Sequence, residues 1–250
     1  MQMILLTAIG VGGATIIGAL IGFFFRNVSH RINDIILSFA AGIMLAAAVM
    51  GLILPSVEMS GKGGLWLPVV GIFAGALFLN AMDKMTPHLH KVTGVDIEAH
   101  DNNRNLDSAL LFMLAVAIHN LPEGMAAGVG FAGEDTSAAL TVAVGIALQN
   151  VPEGIVTVSP LVLAGVKRSR AFVLAAVTGL IEVLGTFIGY SLAAISTGIL
   201  PFALAFAGGT MLYIISDEMI PETHSHGYVR TATYSLLVGF VVMLIMNTII

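Results

Sequence analysis

Long apolar runs separated by short polar breaks make up most of this 250-residue chain. A helix that crosses the hydrocarbon core of a bilayer needs about 20 mostly apolar residues. Eight runs meet this requirement, at residues 4–25, 33–57, 65–86, 107–131, 137–165, 170–197, 199–219 and 228–250. The runs are continuous, whereas the strands of a lipid-facing β-barrel alternate between apolar and polar residues. The pattern therefore predicts an all-α polytopic membrane protein with eight transmembrane helices.

Basic residues are distributed unequally between alternate loops. The loops that follow spans one, three, five and seven hold nine of the ten Lys and Arg residues, namely Arg26, Arg31, Lys84, Lys91, Arg104, Lys167, Arg168, Arg170 and Arg230. The opposite side holds only Lys62. Cytoplasmic loops of membrane proteins carry the excess of Lys and Arg. These four loops are therefore predicted to be cytoplasmic, and both termini are predicted to be extracytoplasmic.

The longest polar break, residues 87–106, lies on the predicted cytoplasmic side and contains several histidines and acidic residues. Apart from this polar loop, residues 1–250 form one continuous series of spans, which predicts a single transmembrane domain. The first run, residues 1–25, lacks a basic segment ahead of it and an obvious small-residue cleavage site. It is therefore interpreted as a retained span and not as a signal peptide.

Composition limits the classes of function that fit the chain. Charged residues make up only 10% of it, whereas a soluble domain carries about 25%, so the lipid bilayer is the predicted partner of most of the surface. The absence of cysteine excludes disulfides and thiolate metal sites. The net charge of −5 includes no basic patch, which argues against nucleic acid as a partner. No GxxxxGKS or GxxxxGKT motif is present, so no nucleotide cofactor is expected.

Two similar motifs place polar side chains in the middle of the fourth and fifth spans. The sequence HNLPEG occupies residues 119–124 and QNVPEG occupies residues 149–154, a spacing of 30 residues, and the sixth span adds Glu182. A charged side chain at the bilayer centre costs at least a few kcal/mol unless it is paired or faces a cavity. Glu182 alone is also compatible with a protonated, hydrogen-bonded packing residue. Two copies of one motif, however, argue for a shared function.

The spacing within each motif places ligand-type side chains on one helix face. His119 and Glu123 are separated by four residues, as are Gln149 and Glu153, so each pair shares a face. The proline in each motif frees a carbonyl oxygen of the preceding turn. Several ionised glutamates at close range would repel one another strongly, and a divalent cation removes that repulsion. Imidazole, carboxylate and amide donors without thiolate suit Zn²⁺, Fe²⁺ or Mn²⁺ better than Cu⁺ or Mg²⁺.

HNLPEG followed by QNVPEG and a span-six glutamate resembles the ZIP (Zrt/Irt-like) divalent metal transporter family, most of all its GufA-like bacterial-type branch. The resemblance covers the eight-span plan, the orientation and the long loop after span three. It implies transport of divalent transition-metal ions into the cytoplasm, with Zn²⁺ as the first choice and Cd²⁺, Fe²⁺ and Mn²⁺ behind it. The metal would be the substrate of a multi-pass protein of the cell membrane, the bacterial inner or plasma membrane above all. A homodimer is an assembly that the sequence leaves open.

The resemblance also implies a binuclear metal centre halfway across the membrane. The first metal would be bound by His119, Glu123, Gln149 and Glu153. The second would use Asn120, Asn150 and Glu182, with Glu123 and Glu153 shared as bridges. Members of the family are thought to alternate access by moving spans one, four, five and six against the other four.

Two features qualify this comparison with the family. Span five often carries His-Glu-x-Pro-His-Glu in ZIP proteins, whereas here residues 149–154 offer amides at the first two positions, which lowers the negative charge at the second site. Met44 in span two resembles the methionine that caps the first site in this branch. A core-packing methionine is an equally good interpretation, and Met50 is the rival candidate for the cap.

Polar residues at the ends of spans three and seven predict a route to the cytoplasm. These residues are Asp83, His88, Asp217, Glu218, His224 and His226. The resemblance places elements matching Glu218 and the span-three acid and histidine along the exit. Solvated side chains at the membrane interface are the alternative interpretation of the histidines.

Three other classes of function remain open on the residues alone. An intramembrane metalloprotease would need HExxH on a span, and this string is absent, so no enzyme activity is expected. A proton-coupled carrier of an organic solute would use the glutamates as proton relays, although His119 and the paired motifs argue against it. A structural membrane scaffold would bind no metal.

Overall fold

A computed structural model of the chain consists of helices and turns, without a β-strand, over the residues that it describes. These are residues 1–24, 29–92, 104–133, 135–163 and 165–249, and the side chains of residues 83, 85–92, 104–112, 115, 159–160, 163 and 197 lie outside the description. The all-α prediction is confirmed. The continuous apolar character of each run is sufficient to explain it, because every backbone polar group of a helix in lipid is paired within its own segment.

The described ranges contain ten α-helices. They are α1 (Gln2–Phe24), α2 (His30–Ala46), α3 (Leu54–Ser60), α4 (Trp66–Val92), α5 (Arg104–Val129), α6 (Thr136–Leu163), α7 (Arg168–Ala193), α8 (Leu200–Ile214), α9 (Ile220–His224) and α10 (Val229–Ile249). The π-helical segment Ala47–Ile53 joins α2 to α3, and a second π-helical segment, Ile215–Met219, joins α8 to α9. Short 3-10 turns at Gly130–Ala132 and Thr197–Ile199 precede α6 and α8.

Every predicted span coincides with one of these helical segments. Six segments are long and apolar enough to cross a membrane, namely Gln2–Phe24, His30–Ser60, Thr136–Val158, Arg168–Ala193, Leu200–His224 and Val229–Ile249. The predicted third and fourth spans are α4, whose apolar part is Trp66–Met82, and α5. The polytopic membrane character is thus confirmed, whereas the count of eight crossings and the orientation of the termini stay predictions.

Helices extend into the predicted polar loop, residues 87–106, from both of its ends. Helix α4 continues to Val92 and α5 begins at Arg104, while residues 93–103 lie outside the described residues. Extending a helix that has already nucleated gains one hydrogen bond for each residue that is fixed. The helices therefore run past the apolar limits from which the loop boundaries were predicted.

The helices pack as two bundles. In the first bundle, α1 lies against α6 and α7, and α5 lies against α7. In the second bundle, α2 pairs with α10, α4 pairs with α8, and the π-helical segment Ala47–Ile53 together with α3 connects the two pairs. The main hydrophobic core lies where α2 meets α6 and α8 meets α5, between the two bundles.

Glycines bring the helices within each bundle into backbone contact. A Cβ on Gly124 would overlap the carbonyl oxygen of Glu182, which lies on the neighbouring helix of the first bundle. A Cβ on Gly42 would overlap the carbonyl oxygen of Leu236 in the second bundle. Small residues at such positions allow the close helix contacts that stabilise membrane proteins.

Glycines between the two bundles have different neighbours. Gly51 faces the side chain of Val142, and the nearest neighbours of Gly145 are thioether atoms of Met243. At both positions the nearest opposing atoms belong to side chains, which can turn, and not to backbone. A side chain added at Gly51 or Gly145 would therefore meet atoms that can move aside, unlike the backbone carbonyls that face Gly124 and Gly42.

Candidate metal centre

Helices α5, α6 and α7 bring the predicted motif residues into one buried region of the first bundle. The residues are His119, Asn120 and Glu123 on α5, Gln149, Asn150 and Glu153 on α6, and Glu182 on α7. All are buried, with exposed fractions between 0% and 7%. Glu123 lies within electrostatic range of both Glu153 and Glu182. The structure therefore brings the motif residues of three helices together, and their role as metal ligands stays a prediction.

The motif glycines and prolines explain this local arrangement. The α5 helix continues through Pro122, so the carbonyl of the preceding turn loses its usual donor without breaking the helix. Gly124 packs on the backbone of Glu182, and Gly154 packs on the backbone of Thr15. Gly124 therefore sets the contact between α5 and α7 that brings Glu182 into the site. Gly154 sets the contact between α6 and α1, the helix that carries Thr15.

Glu182 lies at the centre of a hydrogen-bonded cluster. Its Oε1 accepts from Thr15 Oγ1 at 2.5 Å and from Asn120 Nδ2 at 2.5 Å. Its Oε2 accepts from Asn150 Nδ2 at 2.5 Å. The same Asn150 amide also donates to the carbonyl oxygen of Val11 at 3.3 Å. Donors of the first bundle thus compensate the burial of this carboxylate.

The neighbouring half of the site is less completely hydrogen bonded. Gln149 Nε2 donates to Glu123 Oε2 at 2.9 Å and to Asn150 Oδ1 at 3.0 Å. Four buried oxygens have no hydrogen-bond partner among the described residues, namely Asn120 Oδ1, Glu123 Oε1, Gln149 Oε1 and Glu153 Oε2. A buried acceptor without a partner is costly, and a cation is a partner that satisfies several such oxygens at once.

The histidine of the first motif faces the second bundle. His119 Nε2 lies 2.7 Å from Glu218 Oε1, on the π-helical segment between α8 and α9. The wider turn of a π-helix changes which side chains share a face. In this segment both Asp217 and Glu218 line the cavity beside His119. The structure therefore brings two of the predicted exit residues to the edge of the motif cluster.

This cavity has a volume of about 510 Å³ and walls from both bundles. His119 and Glu153 form its inner end, and Asp217, Glu218 and Glu222 contribute the carboxylates of the opposite wall. In the predicted orientation, it extends from the motif cluster toward the cytoplasm.

The remaining predicted exit residues are placed differently. His224 Nδ1 lies 2.8 Å from the carbonyl oxygen of Ile220, and its Nε2 lies 3.3 Å from Thr233 Oγ1. His226 instead contacts Asp34, with 2.9 Å between Nδ1 and Oδ1. Residues 83 and 88 lie on α4, but the side chains of Asp83 and His88 lie outside the described part of the chain.

Met44 is 1% exposed and belongs to the hydrophobic core. Its role as a cap of the first metal site stays a prediction. Among the described residues, no three His, Asp or Glu side chains already stand in the arrangement of a metal site. His119 contacts Glu218, and Glu182 accepts from three donors, so each of these side chains would have to exchange a present contact for an ion.

Two buried polar residues were missed by the sequence analysis. Thr15 supports Glu182, and Asp34, which is 0% exposed, supports His226. A threonine in an apolar span ordinarily bonds to the backbone of its own helix, so Thr15 carries no signal in the sequence. Asp34 lies at the start of the predicted second span, one turn inside α2. An acidic residue at this position is ordinarily interpreted as lying at the membrane interface.

Comparisons with known proteins give one consistent family. The sequence model of the family described as ZIP Zinc transporter matches residues 95–247, which include both motifs and Glu182. Zinc transporter GufA of Myxococcus xanthus is 37% identical over 97% of this chain and 97% of its own length. Zinc transporter ZIPB of Bordetella bronchiseptica is 38% identical over 94% of this chain and 77% of its own. Zinc transporter ZIP11 of Homo sapiens is 31% identical over 93% and 92% of the two chains.

Proposed function

Since the chain belongs to the ZIP family of zinc transporters and is a multi-pass membrane protein, we propose that it carries Zn²⁺ into the cytoplasm through the centre on α5, α6 and α7. Zn²⁺ is the substrate, and Cd²⁺, Fe²⁺ and Mn²⁺ are weaker competitors for the same donors. The observation that carries the proposal is the set of buried, unpartnered oxygens around Glu123 and Glu153. The named relatives are transporters and not enzymes.

The first zinc site consists of His119, Glu123, Gln149 and Glu153. Zinc prefers a tetrahedral set of nitrogen and oxygen donors at about 2.0–2.2 Å. Oxygens of Glu123, Gln149 and Glu153 have no hydrogen-bond partner among the described residues, and His119 supplies an imidazole beside them. A bound cation would also remove the repulsion between the two buried carboxylates.

The second site consists of Asn120, Asn150 and Glu182, with Glu123 and Glu153 as bridges. Glu182 already accepts three hydrogen bonds, and both asparagines direct their NH₂ groups toward it. A cation at this site must displace those donors and turn the amides so that their oxygens face the metal. These costs support an asymmetric pair, in which the first site binds zinc more tightly than the second.

Glu218 accepts the ion from the first site. His119 Nε2 and Glu218 Oε1 are 2.7 Å apart, whereas two ligands of one tetrahedral zinc ion are about 3.3 Å apart. A movement of roughly half an ångström would therefore let both side chains hold the same ion. From there the carboxylates of the cavity lead outward, and Asp83, His88, His224 and His226 continue the route.

Transport proceeds by movement of the first bundle against the second. With eight membrane crossings and both termini outside, the cavity beside His119 faces the cytoplasm, so this movement releases the ion there. Backbone contacts at Gly124 make the first bundle a rigid unit, whereas Gly51 and Gly145 meet side chains of the opposite bundle. The π-helical segments Ala47–Ile53 and Ile215–Met219 of the second bundle lie at the boundary between the two bundles.

Uptake into proteoliposomes tests the proposal. The purified chain is reconstituted, and Zn²⁺ influx is followed with an entrapped fluorescent zinc indicator while Cd²⁺, Fe²⁺ and Mn²⁺ are added as competitors. We expect saturable influx that Cd²⁺ reduces most. Influx no faster than in protein-free vesicles would refute the proposal and leave a structural scaffold or an organic-solute carrier as the function.

A further inference from the structure

Four ionisable side chains cluster away from the central motifs, where α2 begins and the chain turns from α9 into α10. We name this the terminal cluster, and it consists of His30, Asp34, Glu222 and His226. It lies in the second bundle, since α2 packs against both α9 and α10. Gly227 follows His226 with a φ of +86°, so the chain turns there in a conformation that favours glycine.

A carboxylate and an imidazole form the inner part of the terminal cluster. Asp34 is fully buried, and its Oδ1 lies 2.9 Å from His226 Nδ1. Its Oδ2 has no hydrogen-bond partner among the described residues. A histidine that binds a metal ordinarily donates its other ring N–H to a carboxylate, which fixes both the tautomer and the ring orientation. With the proton on Nδ1 shared with Asp34, Nε2 is left as the free electron-pair donor.

Glu222 lies on the open side of this imidazole. Its Oε1 lies 3.9 Å from His226 Nε2, and the two residues are four positions apart in the chain. Two donors of one tetrahedral zinc ion, each at about 2.0–2.2 Å from it, lie roughly 3.3–3.6 Å apart, so these two atoms must approach each other by about 0.3–0.6 Å to hold the same cation. The Glu222 side chain is 54% exposed and is therefore able to turn toward an ion.

A second imidazole lies next to the first. The ring of His30 stacks on that of His226 with 4.4 Å between the centroids and an angle of 24°. A nitrogen of His30 would need only a rotation of its exposed side chain to reach an ion held by His226. Water completes the coordination, because His226 is itself 25% exposed.

We propose that the terminal cluster is a binding site for a divalent transition-metal ion, with His226 Nε2, Glu222 and His30 as ligands and Asp34 as the positioning residue. Glu222 also lines the cavity that begins at His119. The assignment of the cluster as the last site before the cytoplasm rests on the proposed function, whereas the binding of the ion does not.

Zinc binding to the purified chain in detergent tests the site without transport. The double substitution Glu123→Ala and Glu153→Ala removes the first central site, and ZnCl₂ is then titrated by equilibrium dialysis. We expect one remaining ion for each chain. Glu222→Ala and His226→Ala should abolish that binding, and Asp34→Asn should weaken it by roughly 10–100-fold. Glu58→Ala, on the exposed helix α3, is the matched carboxylate control and should leave the affinity unchanged.

Two results would overturn the proposal. One is a remaining affinity that His226→Ala and Glu222→Ala do not change, which would assign the ion to another part of the chain. The other is an Asp34→Asn variant with a lower melting temperature and an unchanged zinc affinity. That result would show that the Asp34–His226 pair only stabilises the packing of α2 against the α9–α10 turn. An unsubstituted chain that binds zinc at the cluster but shows no zinc influx into proteoliposomes would count against the proposed function alone.

Discussion

His119 Nε2 and Glu218 Oε1 lie 2.7 Å apart and join the two bundles at the inner end of the cavity. His119 belongs to α5 of the first bundle, and Glu218 to the π-helical segment of the second. An ion that binds His119 competes with Glu218 for the same nitrogen. In the proposed mechanism, metal binding and the contact between the bundles would therefore be coupled through this pair.

Replacing Glu218 tests that coupling. We expect Glu218→Gln to lower the initial rate of zinc influx by roughly tenfold or more, because the neutral amide no longer offers the charged group that accepts the ion from His119, and contacts to a charged group contribute about 1.5–3 kcal/mol. Zinc affinity at the first site should stay the same or rise, since a competitor for His119 is weakened. Influx into proteoliposomes and zinc titration measure the two effects, with Glu58→Gln as the control. An unchanged influx rate would remove Glu218 from the route.

A carboxylate at residue 150 should strengthen the proposed second site. Asn150→Asp, made together with His226→Ala so that the terminal cluster holds no ion, places a third acid near Glu182, which should lower stability without zinc and raise the number of zinc ions bound from one to two for each chain, relative to His226→Ala alone. Elemental analysis of the purified protein measures the stoichiometry. Asn80→Asp is the matched control, because Asn80 donates to Tyr213 in the second bundle, away from the centre. A stoichiometry that stays at one would show that charge is not what limits the second site.

Thr15 holds Glu182 in place from α1. Thr15→Val keeps the shape of the side chain and removes its hydrogen bond to a buried carboxylate, which should cost about 1.5–3 kcal/mol of stability. Thermal unfolding in detergent reports the loss as a lower melting temperature. Thr186→Val serves as the comparison, because its hydroxyl bonds only to the backbone carbonyl of Glu182 in its own helix. Equal effects of the two substitutions would contradict a specific role for Thr15.

Gly124 sets the contact between α5 and α7. Gly124→Ala should destabilise the chain by roughly 1–3 kcal/mol, because its Cβ would overlap the backbone of Glu182 and overpacking of this kind forces backbone shifts. Gly145→Ala should cost less, since the nearest neighbours are the mobile end of Met243. Gly10→Ala should cost nothing, as a Cβ there meets no atom within 4 Å. Thermal unfolding ranks the three, and any other order would contradict the rigid first bundle.

The helices and the central motifs were predictable because each depends on local sequence. Apolar runs of sufficient length specify helices in lipid without reference to the rest of the chain. Likewise, the four-residue separation of His119 and Glu123 fixes their common face within one helix. The family pattern then extended these local features to Glu182 on a third helix.

The contacts that complete the site depend on packing and were not predictable. Thr15 reaches Glu182 because α1 and α7 come into backbone contact at Gly12 and Gly179. Whether Glu218 faces His119 depends on a π-helical segment, and the sequence ISDEM offers no sign of one. The role of Asp34 depends on its contact with His226, which lies 192 residues later in the chain.

Zinc influx through chains that lack the motif glutamates tests the central claim most directly. Glu123→Ala and Glu153→Ala are reconstituted separately beside the unsubstituted chain, with Glu58→Ala as the matched carboxylate control. The first site predicts influx at the rate of protein-free vesicles for both motif variants and full influx for the control. Folded Glu123→Ala and Glu153→Ala proteins that carry zinc at the original rate would contradict a route through this centre.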